Sequence, residues 1–210
     1  SATTLVDWRR SDVEEDLRAS LRQFRRGVEA QASPLAIYWA AVRSVTSSPD
    51  APIDAELSTH QAGLRCILET APASTTFVLI TSAGGVHAGT RGEPITESTP
   101  SRALSAYGRM KLERERLLQW AVATRGFRGL ILRAPTVYGP RQDRTQNQIL
   151  VSALVRSVWA SSSVTIYVPR DTRRHYLCAD DLGYIAGQVV AHTPTERGET
   201  LTRVVTTGRS

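Results

Sequence analysis

Apolar positions along this chain follow two rhythms. Short runs rich in apolar and β-branched residues, at Thr4–Trp8, Leu35–Ala41, Thr76–Ser82, Leu130–Arg133 and Val164–Val168, have the length and residue types of strands. Between them, apolar residues recur at helical spacing. Val13, Leu17, Leu21, Phe24 and Val28 mark one face of a first helix, and Ser11 with Glu14 makes a capping box at its start. A second helix is predicted from about Asp54 to Thr70, with Leu57, Leu64, Ile67 and Leu68 inward. A third begins near Ser105, carries Leu112, Leu117, Trp120 and Ala121, and stops before Gly126. Further helices are expected near Asn147–Ala160 and Asp181–Val190, and loops at Thr46–Pro52, Gly89–Pro100 and Gly139–Thr145, where Gly, Pro, Ser and Thr cluster. Strands alternating with helices of this length imply an α/β fold, a parallel sheet with helices on both faces.

Composition narrows the function classes. With 210 residues, 41% of them hydrophobic, the chain can bury one sizeable core. No apolar run is long enough to span a bilayer, and Ser1–Arg10 lacks the regions of a signal peptide, so no membrane association is expected. Cys66 and Cys178 are far apart and suggest neither a disulfide framework nor a zinc site, so reduced thiols and a cytoplasmic location are expected. The net charge of +6 hints at an acidic partner. The arginines are scattered and form no basic tract with interleaved aromatics, so nucleic acid is not the expected partner; a phosphorylated small molecule fits the charge equally well. Of the 26 basic residues only Lys111 is a lysine. Arginine has filled every surface role, which raises the question of what it could not do at position 111. A compact ammonium with an accessible pKa in a tight site has no arginine equivalent.

Tyr107 and Lys111 stand at i and i+4, on one face of the third helix. A phenol is a poor base at neutral pH, but a neighbouring cation favours its phenolate and lets it take a proton from an alcohol. Gly108 beside it leaves room for close approach of a cofactor. The run Phe77–Ser82 leads into Ala83, Gly84 and Gly85. Ligands of open parallel sheets bind at the carboxyl ends of strands, which puts Thr81 and Ser82 at a site mouth where a hydroxyl could orient substrate toward Tyr107. Such residues also commonly just end strands.

Four segments occur in a fixed order: the strand ending Thr81-Ser82, the Tyr107/Lys111 helix, the run Leu130-Ile131-Leu132-Arg133-Ala134-Pro135-Thr136-Val137-Tyr138-Gly139-Pro140-Arg141, and Arg174-His175-Tyr176-Leu177-Cys178-Ala179-Asp180-Asp181. Together they resemble the nucleotide-sugar epimerase/dehydratase family of extended short-chain dehydrogenases/reductases, from about Leu5 to about Thr207. The resemblance implies a Rossmann-like doubly wound sheet, NAD or NADP as cofactor, and a nucleotide-sugar or related substrate. It further implies Tyr107 as base, Lys111 on the nicotinamide ribose, and Ser82 or Thr81 completing a triad. Ala40 and Ala41 match small residues beside the cofactor's ribose and phosphates, Asp7 an acidic position near adenine, and Pro135 a neighbour of the nicotinamide. Arg174 matches an arginine that grips the substrate diphosphate, and Thr136 and His87 take substrate-side positions. A homodimer through the Tyr107 helix is a family expectation.

The chain departs from the family pattern in places. Ala83 occupies the usual position of the catalytic hydroxyl, His87 replaces a tyrosine, and Thr136 stands where asparagine is common. No glycine-rich dinucleotide turn precedes a helix. Leu5-Val6-Asp7 resembles the third strand of the fold, so the sheet is expected to be incomplete at its N-terminal side. Residues 1–143 would form a partial dinucleotide-binding domain, with strands three to six, and residues 144–210 part of a smaller substrate-binding lobe with returning Rossmann elements. A longer natural chain or a second chain is expected to fill the gap, and the 210 residues alone to bind dinucleotide poorly. Three functions remain open: an epimerase or dehydratase, an NADP-dependent carbonyl reductase of the same fold, and a non-catalytic relative that senses dinucleotide or serves as an interaction module.

Overall fold

The computed structural model describes residues 13–31, 35–42, 44–45, 48–91, 94–140, 142, 150–166, 169 and 172–207. The strand expected at Thr4–Trp8, with Asp7, lies outside the described residues. In chain order the elements are α1 (Val13–Gln31), β1 (Ala36–Trp39), α2 (Asp50–Thr70), β2 (Thr76–Ser82), α3 (Ala83–Val86), α4 (Ala106–Arg125), β3 (Arg128–Ala134), β4 (Thr136–Tyr138), α5 (Leu150–Ala160), β5 (Tyr176–Cys178), α6 (Ala179–His192) and β6 (Thr200–Val204). The main sheet has the order β1-β2-β3-β6, with every neighbouring pair parallel. A two-stranded parallel sheet joins β4 to β5.

The central strands β2 and β3 are buried on both faces because they send apolar side chains both ways. Phe77 and Leu79 of β2 and Ile131 of β3 pack with Leu64 and Ile67 of α2 and Leu118, Ala121 and Val122 of α4. Val78, Leu130 and Leu132 pack on the other side with Leu182 and Ala186 of α6. This is the arrangement that the alternating strand and helix pattern implied.

Local chemistry sets the ends of α4. Ser105 caps its start, with Oγ accepting from the Gly108 amide at 3.1 Å, and Gly126 ends it in the left-handed conformation at φ 66°. Its inward face differs from the sequence expectation. Trp120 is 58% exposed, whereas Lys111, Arg114 and Glu115 are buried along with Met110 and Leu118. Apolar periodicity misplaces this face because ion pairs, described below, take the place of apolar residues on it.

Other boundaries also differ. α2 begins at Asp50, inside the expected Thr46–Pro52 loop, and Pro52 falls in its first turn, where a missing amide costs nothing. The strand expected at Val164–Val168 does not form over 164–166, where Ile166 is 53% exposed. The ladder position beside β3 goes instead to β6, a Thr-Leu-Thr-Arg-Val run not expected as a strand. β4 and β5, three residues each, are too short to show alternation.

One buried group gives the fold a pH dependence. His60 of α2 is 2% exposed and meets the Trp39 ring edge-on at 4.8 Å between centroids. Burial, then the charges of Arg114 and Lys111, push its pKa from 6.5 down to about 3. The unfolded chain takes up this proton first. His60 therefore favours folding above about pH 6.5, and that contribution is lost as pH falls toward 3. Unfolding free energies from denaturant melts should fall less steeply between those pH values in His60→Leu than in the unmodified protein, and an unchanged slope would contradict the assignment.

Candidate active site

The carboxyl ends of β1, β2 and β3 open into one cleft of about 2040 Å³. Ala40, Val42, Ser44 and Val45 follow β1 along one wall, Thr81 and Ser82 end β2, and Ala134, Pro135 and Thr136 end or follow β3. Tyr107 and Lys111 enter from α4, and Arg173, Arg174 and Tyr176 also line the cleft. Sites form at this edge of a parallel sheet because every strand ends there and its loops converge.

Lys111 is 2% exposed, and its Nζ lies 5.0 Å from the centroid of the Tyr107 ring. Burial, then the Arg114 charge, lowers its pKa from 10.5 to about 7, against the pull of Glu56 and Glu115. Tyr107 moves in the direction opposite to the sequence expectation. Its pKa is raised, chiefly by burial and further by the Glu56 carboxylate, while a hydrogen bond with the Ser82 side chain and the Arg114 charge favour the phenolate. In the ligand-free cleft, desolvation outweighs the cations.

Ser82 has a second task. It caps α3, its Oγ accepting from the Gly85 amide at 3.1 Å. Ala83, at the usual position of the hydroxyl, starts that helical turn, and the Ser82 hydroxyl beside it favours the Tyr107 phenolate. Thr81 is 5% exposed, and its Oγ has no hydrogen-bond partner among the described residues.

Two glycines bring α3 against α4. A Cβ on Gly85 would lie 3.0 Å from Tyr107 Cε1, and one on Gly108 would lie 2.3 Å from the Gly85 carbonyl oxygen. The room beside Tyr107 that was expected to admit a cofactor is thus filled by the chain's own backbone at Gly108.

Two buried ion pairs flank Lys111 on α4. Arg133 donates to Glu115 through Nε (3.2 Å) and Nη2 (2.7 Å), and its Nη1 lies 3.0 Å from His87 Nε2. Arg114 donates to Glu56 Oε1 at 3.3 Å and to the Ala41 carbonyl at 3.0 Å. A bidentate guanidinium–carboxylate pair is the geometry that best offsets the cost of burying charge.

Most of the expected site residues converge. Ser82, Thr81, Tyr107, Lys111, Ala40, Pro135, Thr136 and Arg174 all line the cleft. Ala41 stands beside it with its carbonyl on Arg114. His87 does not line it: 4% exposed, it faces inward onto Arg133, and burial, then that guanidinium, lowers its pKa so that a neutral Nε2 can accept the bond. The expectation of a substrate-side His87 is corrected by this inward placement. Arg114, Glu115, Glu56 and His60 were not anticipated. The available signal was on α4, where Arg114 and Glu115 share the face of Lys111 at i+3 and i+4.

A parallel α/β sheet whose strands end at one ligand-sized cleft is the Rossmann-like arrangement. Among proteins built this way, the chain belongs to the NAD dependent epimerase/dehydratase family, whose model matches residues 13–201. No curated protein sequence matches it. Solved structures share the fold. A UDP-glucose 4-epimerase from Thermotoga maritima, crystallised with UDP-glucose, is 19% identical with a TM-score of 0.73 over 92% of this chain and 61% of its own. A UDP-glucose 4-epimerase from Thermus thermophilus in complex with NAD is 22% identical, with a TM-score of 0.72 over 93% of this chain and 61% of its own. A UDP-glucuronic acid 4-epimerase from Bacillus cereus, in complex with UDP-glucuronic acid and NAD, is 21% identical, with a TM-score of 0.71 over 93% of this chain and 58% of its own. The chain thus spans about three fifths of the length of these relatives. Among the described residues no helix is long and apolar enough to cross a membrane.

The contact between the two glycines is directly testable. Gly108→Ala forces a methyl into the Gly85 backbone carbonyl and should lower stability by about 1–3 kcal/mol in denaturant melts, the usual cost of overpacking. Gly84→Ala, with nothing within 4 Å, should leave stability nearly unchanged.

Proposed function

We propose that this chain carries the acid–base centre of an NAD(P)-dependent nucleotide-sugar epimerase or dehydratase. One observation carries the reading: the only lysine of the sequence lies buried 5.0 Å from the ring of Tyr107, in a cleft that Ser82 also lines.

Tyr107 takes the proton of a sugar hydroxyl as its C–H bond is oxidised, and returns it when the sugar is reduced again. The phenolate needed for this step is favoured by the Ser82 hydrogen bond and the Arg114 charge, the chain's own offsets to the burial of Tyr107. Lys111 sits under the phenol and completes the Ser82-Tyr107-Lys111 set, with Thr81 beside it.

The site suits a dinucleotide. Thr81 Oγ, buried without a partner, and the Lys111 ammonium on the same wall are both groups that bond ribose hydroxyls. Ala40, Ala41 and Pro135 offer small or flat surfaces against ribose, phosphate and nicotinamide. Bound nicotinamide would supply the acceptor and later donor of hydride. Arg174, with Arg173 next to it, lines the same cleft and would give guanidinium forks for a diphosphate, and Thr136 would offer a hydroxyl to the sugar. The UDP-sugars present in structures of the same fold support that substrate class. The free thiols of Cys66 and Cys178 suit a reducing cytoplasm.

Tyr107→Phe removes the proton acceptor and keeps the ring. Turnover of a nucleotide sugar by the intact protein should fall by roughly 10²–10⁴-fold, with dinucleotide affinity within a few-fold. Unimpaired turnover in that variant would end the proposal.

A further inference from the structure

Arg114 is the largest fully buried side chain among the described residues, at 1% exposure. It lies one turn beyond Lys111 on the same face of α4. A guanidinium persists out of water only when it is paired and bonded; both terminal nitrogens of Arg114 are bonded to other elements, while its Nε has no partner among the described residues. Nη2 donates to the Ala41 carbonyl at 3.0 Å and Nη1 to Glu56 Oε1 at 3.3 Å, while Glu56 Oε2 accepts from the Ser44 amide at 2.7 Å.

The residues so held have a common location. The ladder between β1 and β2 stops at Trp39, so Ala41 and Ser44 have no strand partner there. Ala40, Val42, Ser44 and Val45 nevertheless form a wall of the same cleft as Tyr107 and Lys111. A single guanidinium, with its carboxylate, therefore fastens that wall to the helix carrying the phenol and the ammonium.

Building on the dinucleotide reading above, we infer that Arg114 is a positioning residue for the dinucleotide: with Glu56 it fixes the wall after β1 relative to the Tyr107–Lys111 helix and so sets how tightly the cofactor is held. A wall already held in place loses little freedom when ligand binds, whereas a loosened one must be ordered at the expense of affinity. The two partners lie on different elements, which suits a planar fork with several donors and suits a lysine poorly.

The test compares three variants with the unmodified intact protein: Arg114→Met paired with Glu56→Gln, which removes both charges together and leaves no buried unpaired ion; Arg114→Lys; and Glu56→Gln alone. Dinucleotide Kd, kcat at saturating dinucleotide, and amide hydrogen exchange at Val42, Ser44 and Val45 in the free protein are measured. The paired variant should bind dinucleotide about tenfold or more weakly, as expected for lost charge-assisted bonds. Its loop amides should exchange faster, and the loss of affinity should exceed any loss of kcat at saturation, to which the Arg114 charge near Tyr107 also contributes. Arg114→Lys and Glu56→Gln should shift in the same direction by smaller factors, and they decide the matter if the paired variant does not fold. Affinity within about twofold of the unmodified protein, or a loss confined to kcat, overturns the inference. An unmodified protein that binds no dinucleotide overturns the functional reading beneath it instead.

Discussion

The structure depends on keeping one ammonium out of water beside a phenol. Lys111 is 2% exposed, and an isolated buried charge is among the costliest features a fold can carry. The surroundings answer that cost with carboxylates on two sides, Glu56 from α2 and Glu115 from α4 itself, each of which raises the lysine's pKa. Each carboxylate is also bonded to a buried arginine, Arg114 or Arg133. The ammonium therefore lies within the field of two ion pairs that reach α2, the loop after β1, and β3. The main-sheet edge, the helix and the cleft wall are held in register through charge as well as through the apolar core.

This arrangement sets the resting protonation of the site. Burial brings Lys111 to about 7, so near neutral pH it is poised between its charged and neutral forms, and the same burial keeps Tyr107 protonated. An ammonium beside a phenol does not by itself produce a phenolate in a dry cleft. The Ser82 hydrogen bond and the Arg114 charge work toward the phenolate, and their effect grows as water is excluded. Two glycines, Gly85 and Gly108, let the α3 backbone pack against α4 and the Tyr107 ring, which explains why a small residue follows the tyrosine.

Much of this was legible in the sequence where a local rule operates alone. The main strands, the capped start of α4, its glycine stop, and the convergence of Thr81, Ser82, Tyr107 and Lys111 follow from patterning and from the rule that parallel sheets bind ligands at their carboxyl edge. The inward face of α4 was not legible by apolar periodicity, because charged residues occupy it and Trp120 faces out. The direction of the Tyr107 shift needs the depth of burial, which spacing does not reveal. β6 and the β4–β5 pair depend on partners distant in sequence, and the apolar Val164–Val168 run over 164–166 found no ladder. His87 resembled a site residue by position, but its environment is decided by Arg133, which approaches from another strand.

Because the sequence holds a single lysine, selective lysine isotope labelling gives one side-chain NMR signal with no assignment problem. Its pH titration in the ligand-free protein reads the central interaction directly. A side chain buried under Tyr107 should titrate near the value of about 7, well below the ordinary 10.5. A signal that titrates near 10.5 would mean that the ammonium is solvated, and the account of the site would fail with it.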